Sequence, residues 1–193
     1  MTAVRHSQII ILGSGPAGYT AAIYAARALR KPMLIAGIQP GGQLTITTDV
    51  ENYPGFADVI QGPWLMDQMR AQAIHVGTEM VDDHIVKADL KTKPFRLTGD
   101  GGQVYTCDVL VIATGAQAKW LGVEGEEYLQ GKGVSACATC EGFFYRGKKV
   151  IDAKPDERPD QDRRAELAAE PQRQRSGACL LWRGSFARSL AAR

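Results

Sequence analysis

The sequence has 193 residues, 45% of them hydrophobic, with a formal net charge of +2. That length buries the core of one ordinary domain with room for a small second one. The near-neutral balance, with no basic stripe interleaved with aromatics, argues against nucleic acid or an anionic membrane surface as a partner.

The chain opens Met-Thr-Ala-Val-Arg-His-Ser-Gln before the apolar run Ile9-Ile10-Ile11-Leu12. Four residues are too few for the apolar region of a signal peptide and far too few for a membrane span, so a cytoplasmic protein is expected. The four cysteines are Cys107, Cys137, Cys140 and Cys179, and only two of them are closely spaced. A reducing compartment fits that pattern better than the dense framework of a small secreted domain.

Gln8 to Leu12 predicts a buried strand, and Gly13-Ser14-Gly15-Pro16-Ala17-Gly18 follows it directly. Tyr19 to Leu29 then predicts an Ala-rich helix. A Gly-x-Gly-x-x-Gly turn between strand and helix is the signature of a dinucleotide site. Gly13 permits the tight turn, Gly15 lets the backbone approach a pyrophosphate, and Gly18 lets the helix pack close to the strand. The helix N-terminus offers aligned N–H groups to the phosphates. The second strand, Pro32 to Ala36, ends in Ala36-Gly37 where an acidic residue ordinarily takes the ribose hydroxyls. Ribose is therefore expected to be held in another way.

The turn does not separate NAD from FAD. Gly41-Gly42-Gln43-Leu44 brings backbone and an amide near a flat ring, and Val109 to Gly115 reads as a buried strand ending in the small-residue turn Ala113-Thr114-Gly115. Both suit a flavin, although Gly41-Gly42 alone would read as a simple turn.

Cys137-Ala138-Thr139-Cys140 is followed by Glu141-Gly142-Phe143-Phe144. Two thiols at this spacing close a small disulfide loop, and one of them often has a depressed pKa. Glu141 is placed to move a proton to or from a thiol. A zinc site needs two further ligands, and Cys107, Cys179 and the three histidines show no matching spacing, so no metal is expected. Cys107 reads as a small buried residue.

Taken in order, Gly13 to Gly18, Gly41 to Leu44, Glu51-Asn52-Tyr53-Pro54-Gly55, Ala113 to Gly115 and Cys137 to Cys140 resemble the bacterial thioredoxin reductase family over residues 5 to 150. The resemblance implies an α/β, three-layer Rossmann-like FAD-binding domain interrupted by a second dinucleotide-binding domain that carries the cysteine pair. It implies that Ser14, Gly15, Pro16 and Ala17 hold the FAD pyrophosphate and that Gln43, Asn52 and Ile85 line the rest of the flavin site. Cys140 would face the flavin ring, Cys137 would attack the disulfide of thioredoxin, and Glu141 would stand where the family usually carries Asp. NADPH is the family's hydride donor, and the family forms homodimers.

The pattern changes after Lys148-Lys149-Val150. Ile151-Asp152-Ala153-Lys154-Pro155 stands where the family continues into a second Gly-rich turn, and no second Gly-x-Gly-x-x motif follows. From Asp152 onward there is no Val or Ile, and Pro155, Pro159 and Pro171 interrupt the chain. Expected domains are residues 1–117, the front of the FAD-binding domain; 118–150, a truncated second domain; and 151–193, a tail that is disordered or out of register apart from a short helix over Asp160 to Glu170. The expected function is FAD-dependent reduction of thioredoxin's disulfide, impaired by a missing NADPH site and missing closing FAD segment. The alternatives are an inactive flavoprotein fragment and a dithiol oxidase-like flavoprotein.

Overall fold

The computed structural model describes residues 3–117, 120, 122–130, 132–137, 145, 150–152 and 179–181. The chain divides into two compact units, residues 1–116 and 117–193.

In the first unit, β1 (Arg5–Leu12) leads through α1 (Pro16–Arg27) to β2 (Met33–Ile35). A 3₁₀ turn (Gly42–Ile46) and a small antiparallel pair, β3 (Asp49–Val50) with β4 (Ile60–Gln61), precede α2 (Gly62–His75). Then come β5 (Glu79–Val81), β6 (Ile85–Asp89), β7 (Phe95–Gly99) and β8 (Val104–Ile112). The sheet order is β5-β2-β1-β8-β7-β6. β5, β2, β1 and β8 run parallel, while β7 and β6 join as antiparallel neighbours.

Strand alternation sorts the apolar residues into two cores. Ile11 and Leu34 point to one face and meet Tyr19, Ala22 and Ile23 of α1 and Leu65, Met66, Met69 and Ala73 of α2. Ile10, Met33 and Ile35 point to the other face and meet Val81, Leu97, Tyr105 and Cys107. Helices α1 and α2 cover one face, while β7 and β6 extend the same sheet antiparallel beyond β8 and bring Leu97, Tyr105 and Cys107 to the core on the other face, which gives the mixed α/β arrangement with a parallel sheet expected from the motifs. Helix α1 starts three residues earlier than its apolar run suggests because Pro16 has its φ preset for a first helical position.

Asp83 ties the meander to the parallel sheet. Its carboxylate accepts the Tyr105 hydroxyl at 2.6 Å and the His84 amide at 2.7 Å, and its carbonyl accepts the Gly37 amide at 3.0 Å. Burial, then the hydrogen bond and charge of Asp83, push the Tyr105 phenol up to about 12. A phenol whose pKa is raised by folding contributes stability that is whole below its ordinary value of 10 and is lost as pH climbs from 10 towards 12. Tyr105→Phe should cost about 1–3 kcal/mol at neutral pH by leaving Asp83 short of a donor. It should also flatten the fall in stability across that alkaline window. Urea unfolding of both proteins at a series of pH values checks this, and parallel curves would refute it.

In the second unit, α3 (Glu126–Leu129) is followed by β9 (Val134–Ser135), β10 (Val150–Asp152) and β11 (Cys179–Leu181). These strands form a parallel sheet in the order β10-β11-β9. The strand at Cys179–Leu181 stands in the segment that holds no Val or Ile. Three residues carry little intrinsic preference, and strand neighbours on both sides supply the backbone hydrogen bonds that fix the conformation. The helix expected over Asp160 to Glu170 lies outside the described residues. Among the described residues no helix is long and apolar enough to cross a membrane.

Candidate functional site

The candidate site lies at the carboxyl ends of β1 and β8. β1 connects to β2 on one side and is flanked by β8 on the other, so the strand order reverses at this point. A crevice at such a reversal is where open α/β sheets bind ligands.

Gly13 leaves β1 with φ +102° and donates its amide to the Ile35 carbonyl at 2.9 Å. A Cβ there would overlap the carbonyl oxygen of Ala113, so the turn after β1 and the turn after β8 touch through backbone. A Cβ on Gly18 would overlap the carbonyl oxygen of Gly13, which fixes how closely α1 sits over the strand end. Gly15 differs, because nothing lies within 4 Å of where its Cβ would be. Its side of the turn faces open space.

Helix α1 begins at Pro16 behind Gly15 as its N-cap, with no side-chain cap and no acidic residue in its first turn. Tyr19 donates its amide to the Gly15 carbonyl at 3.0 Å, which closes the first helical turn. The amides ahead of it, Ala17 and Gly18 among them, lie in the stretch that an α-helix leaves without intrahelical partners. Those N–H groups and the positive end of the helix dipole make an anion seat.

Ser14 is 2% exposed, and its hydroxyl donates to the Ala36 carbonyl at 3.0 Å and accepts the Gly41 amide at 2.9 Å. Its side chain thus ties three segments together, leaving its backbone as the part available to a ligand. The Gly41-Gly42 turn crosses Gly15 closely, with a Gly42 Cβ position 3.3 Å from the Gly15 Cα. Gln43 reaches over to donate to the Ala116 carbonyl at 2.5 Å. The structure therefore gathers Gly13 to Gly18, Gly41 to Gln43 and Ala113 to Ala116 into one cradle.

Leu44 packs against the helix-side core, and Ile85 begins β6 and packs with Leu12 against the other core. Asn52 is exposed in the loop between β3 and β4. Thr114 and Gly115 are exposed at the rim. Ser14 as a three-way tie was not anticipated, and neither was the Asp83–Tyr105 pair. Their partners are distant in sequence, so no local pattern announces them.

In the second unit Cys137 follows β9, is half-buried and is disulfide-bonded. Cys140 and Glu141 lie outside the described residues. Cys107 is a free, fully buried thiol, and burial raises its pKa, which keeps it protonated and unreactive. Among the described residues no group of His, Cys, Asp and Glu is arranged to hold a metal ion.

The family model for pyridine nucleotide-disulphide oxidoreductases matches residues 7–158. The thioredoxin reductase of Vibrio cholerae is 62% identical over 150 residues, which is 78% of this chain and 47% of that protein. A Pseudomonas fluorescens protein named glucosaminate ammonia-lyase is 61% identical over the same shares of each. The solved structure of thioredoxin reductase from Giardia duodenalis superposes with a TM-score of 0.70 at 42% identity, covering 77% of this chain and 48% of that one. The chain spans about half the length of the curated relatives it matches.

Proposed function

The chain belongs to the pyridine nucleotide-disulphide oxidoreductase family, and from that premise we propose that it binds FAD at the β1–β8 crevice and carries a thiol–disulfide exchange centre at Cys137 and Cys140. The observation that supports the flavin reading most strongly is the uncapped, carboxylate-free start of α1 beside the open face of Gly15. The backbone of Ser14 to Gly18 would hold the pyrophosphate. Gly41, Gly42 and Gln43 would bring backbone and an amide to the ring, with Leu44, Asn52, Ile85 and the Ala113-Thr114-Gly115 turn bounding the rest. Bound FAD supplies two-electron redox chemistry.

The cysteine pair performs the exchange. The Cys137 thiolate attacks one sulfur of a protein disulfide of the thioredoxin kind, forming a mixed disulfide and releasing the partner's other sulfur as thiolate. The Cys140 thiolate then attacks the Cys137 sulfur, closing the Cys137–Cys140 disulfide and releasing the partner's second thiolate. Glu141 holds a proton for the leaving sulfur. Residues 151–193 contain no second Gly-x-Gly-x-x turn, so they offer NADPH no phosphate seat of that kind.

Binding to the folded state alone stabilises it by about 2.7 kcal/mol at a ligand concentration of 100 Kd. Saturating FAD is therefore expected to raise the unfolding midpoint of the chain by several degrees, read by circular dichroism. A midpoint unmoved by FAD would overturn the flavin assignment.

A further inference from the structure

Ser135 ends strand β9 two residues before Cys137 and is only 4% exposed. Its hydroxyl oxygen accepts the Cys137 amide at 3.1 Å, and the same hydroxyl donates to the Cys137 carbonyl at 3.3 Å. One buried side chain thus occupies both backbone polar groups of the cysteine, a local side-chain-to-backbone clamp that competes with other conformations of the segment. The clamp is anchored, because the Ser135 backbone is paired with Leu181 in the parallel ladder.

A strand end at this position does not require a hydroxyl, and alanine would serve the backbone pairing equally well. What the hydroxyl adds is a fixed Cys137. Cys137 is disulfide-bonded, and closing a short disulfide loop requires the backbone at its first cysteine to be held in one arrangement. In the dithiol form nothing covalent holds it there, and an unclamped segment samples more conformations. A clamp that holds the backbone ready lowers the entropy lost on ring closure and so favours the disulfide.

We propose that Ser135 is a positioning residue that fixes the Cys137 backbone and shifts the thiol–disulfide equilibrium of the Cys137 pair towards the disulfide. The proposal rests on the reading of Cys137 and Cys140 as the exchange centre. The equilibrium is read against glutathione. Two glutathione thiols give up two electrons and two protons, the cysteine pair takes them and becomes two thiols, and one glutathione disulfide forms.

The test equilibrates the full chain and its variants in glutathione buffers of graded composition, traps free thiols by alkylation and maps Cys137 by peptide mass. Ser135→Ala is expected to shift the balance about fivefold towards the dithiol, the equivalent of one ordinary hydrogen bond. At roughly 30 mV per tenfold for a two-electron couple, that is about 20 mV. Ser135→Thr keeps the hydroxyl and should titrate with the parent chain. Ser135→Ala titrating with the parent, or Ser135→Thr shifting as far as Ser135→Ala, would overturn the proposal. Hydrogen exchange at the Cys137 amide gives an independent reading in the parent chain itself: slow exchange is expected, and exchange at the rate of a free peptide would overturn the clamp even where the alanine variant folds poorly. Mapping that joins Cys137 to a cysteine other than Cys140 would refute the exchange-centre reading and leave the clamp to be judged by the amide.

Discussion

Gly18→Ala is expected to abolish FAD retention and to weaken the fold of the first unit. The added methyl would overlap the Gly13 carbonyl oxygen, which is backbone and cannot swing aside as a flexible side chain would. Either α1 lifts from the strand end or the Gly13 turn is displaced, and both carry the N–H groups away from where a pyrophosphate would sit. Strain of this kind costs about 1–3 kcal/mol, and the upper end corresponds to more than a hundredfold in affinity by the factor of ten per 1.4 kcal/mol. Gly15→Ala separates binding from folding. Its methyl would meet nothing in the protein, so the unfolding midpoint should hold while the methyl occupies the space a phosphate would enter. Thermal unfolding and flavin retention measured on both variants distinguish them. A Gly15→Ala chain that binds FAD as the parent does would place the phosphates elsewhere.

Cys140→Ser is expected to arrest exchange at its first step. With Cys137 and Cys140 as the proposed exchange centre, Cys137 can still attack a disulfide of the thioredoxin kind, but no second thiol is left to resolve the mixed disulfide, so the adduct should accumulate and dissolve on adding a reducing agent. Cys137→Ser should form no adduct. The fall from near-complete trapping to background makes this the largest effect expected in the second unit, and it is read by non-reducing electrophoresis. Adduct formation through Cys107 would run against its complete burial and raised pKa, so a Cys107→Ser chain should trap as Cys140→Ser does only when Cys140 is also replaced.

The parts of this molecule that could be read from sequence are those in which neighbours along the chain decide the outcome. Gly13, Gly15 and Gly18 sit between an apolar strand and an alanine-rich helix, and the spacing alone fixes which glycine must turn, which must pack and which must stay open. The Cys137 and Cys140 spacing is equally local, with Cys140 outside the described residues. The Ser14 side chain is different: it hydrogen-bonds to Ala36 and Gly41, residues 22 and 27 positions away, so no local pattern announces that tie. Asp83 and Tyr105 are likewise joined only by the fold. The strand at Cys179–Leu181 is the clearest case of tertiary context overriding local preference, because its conformation comes from pairing with Val150–Asp152 and Val134–Ser135. At Ala36-Gly37, where no acidic residue stands, the Gly37 amide donates to the Asp83 carbonyl. That bond draws the connection between β5 and β6 alongside the end of β2.

The most direct test of the flavin assignment is the visible absorption spectrum of the purified chain after incubation with FAD and gel filtration. A flavin band that elutes with the protein and is lost in Gly18→Ala is the expected result. A parent chain that elutes colourless would contradict it, and the Gly-rich cradle would then be a packing feature with no ligand of its own.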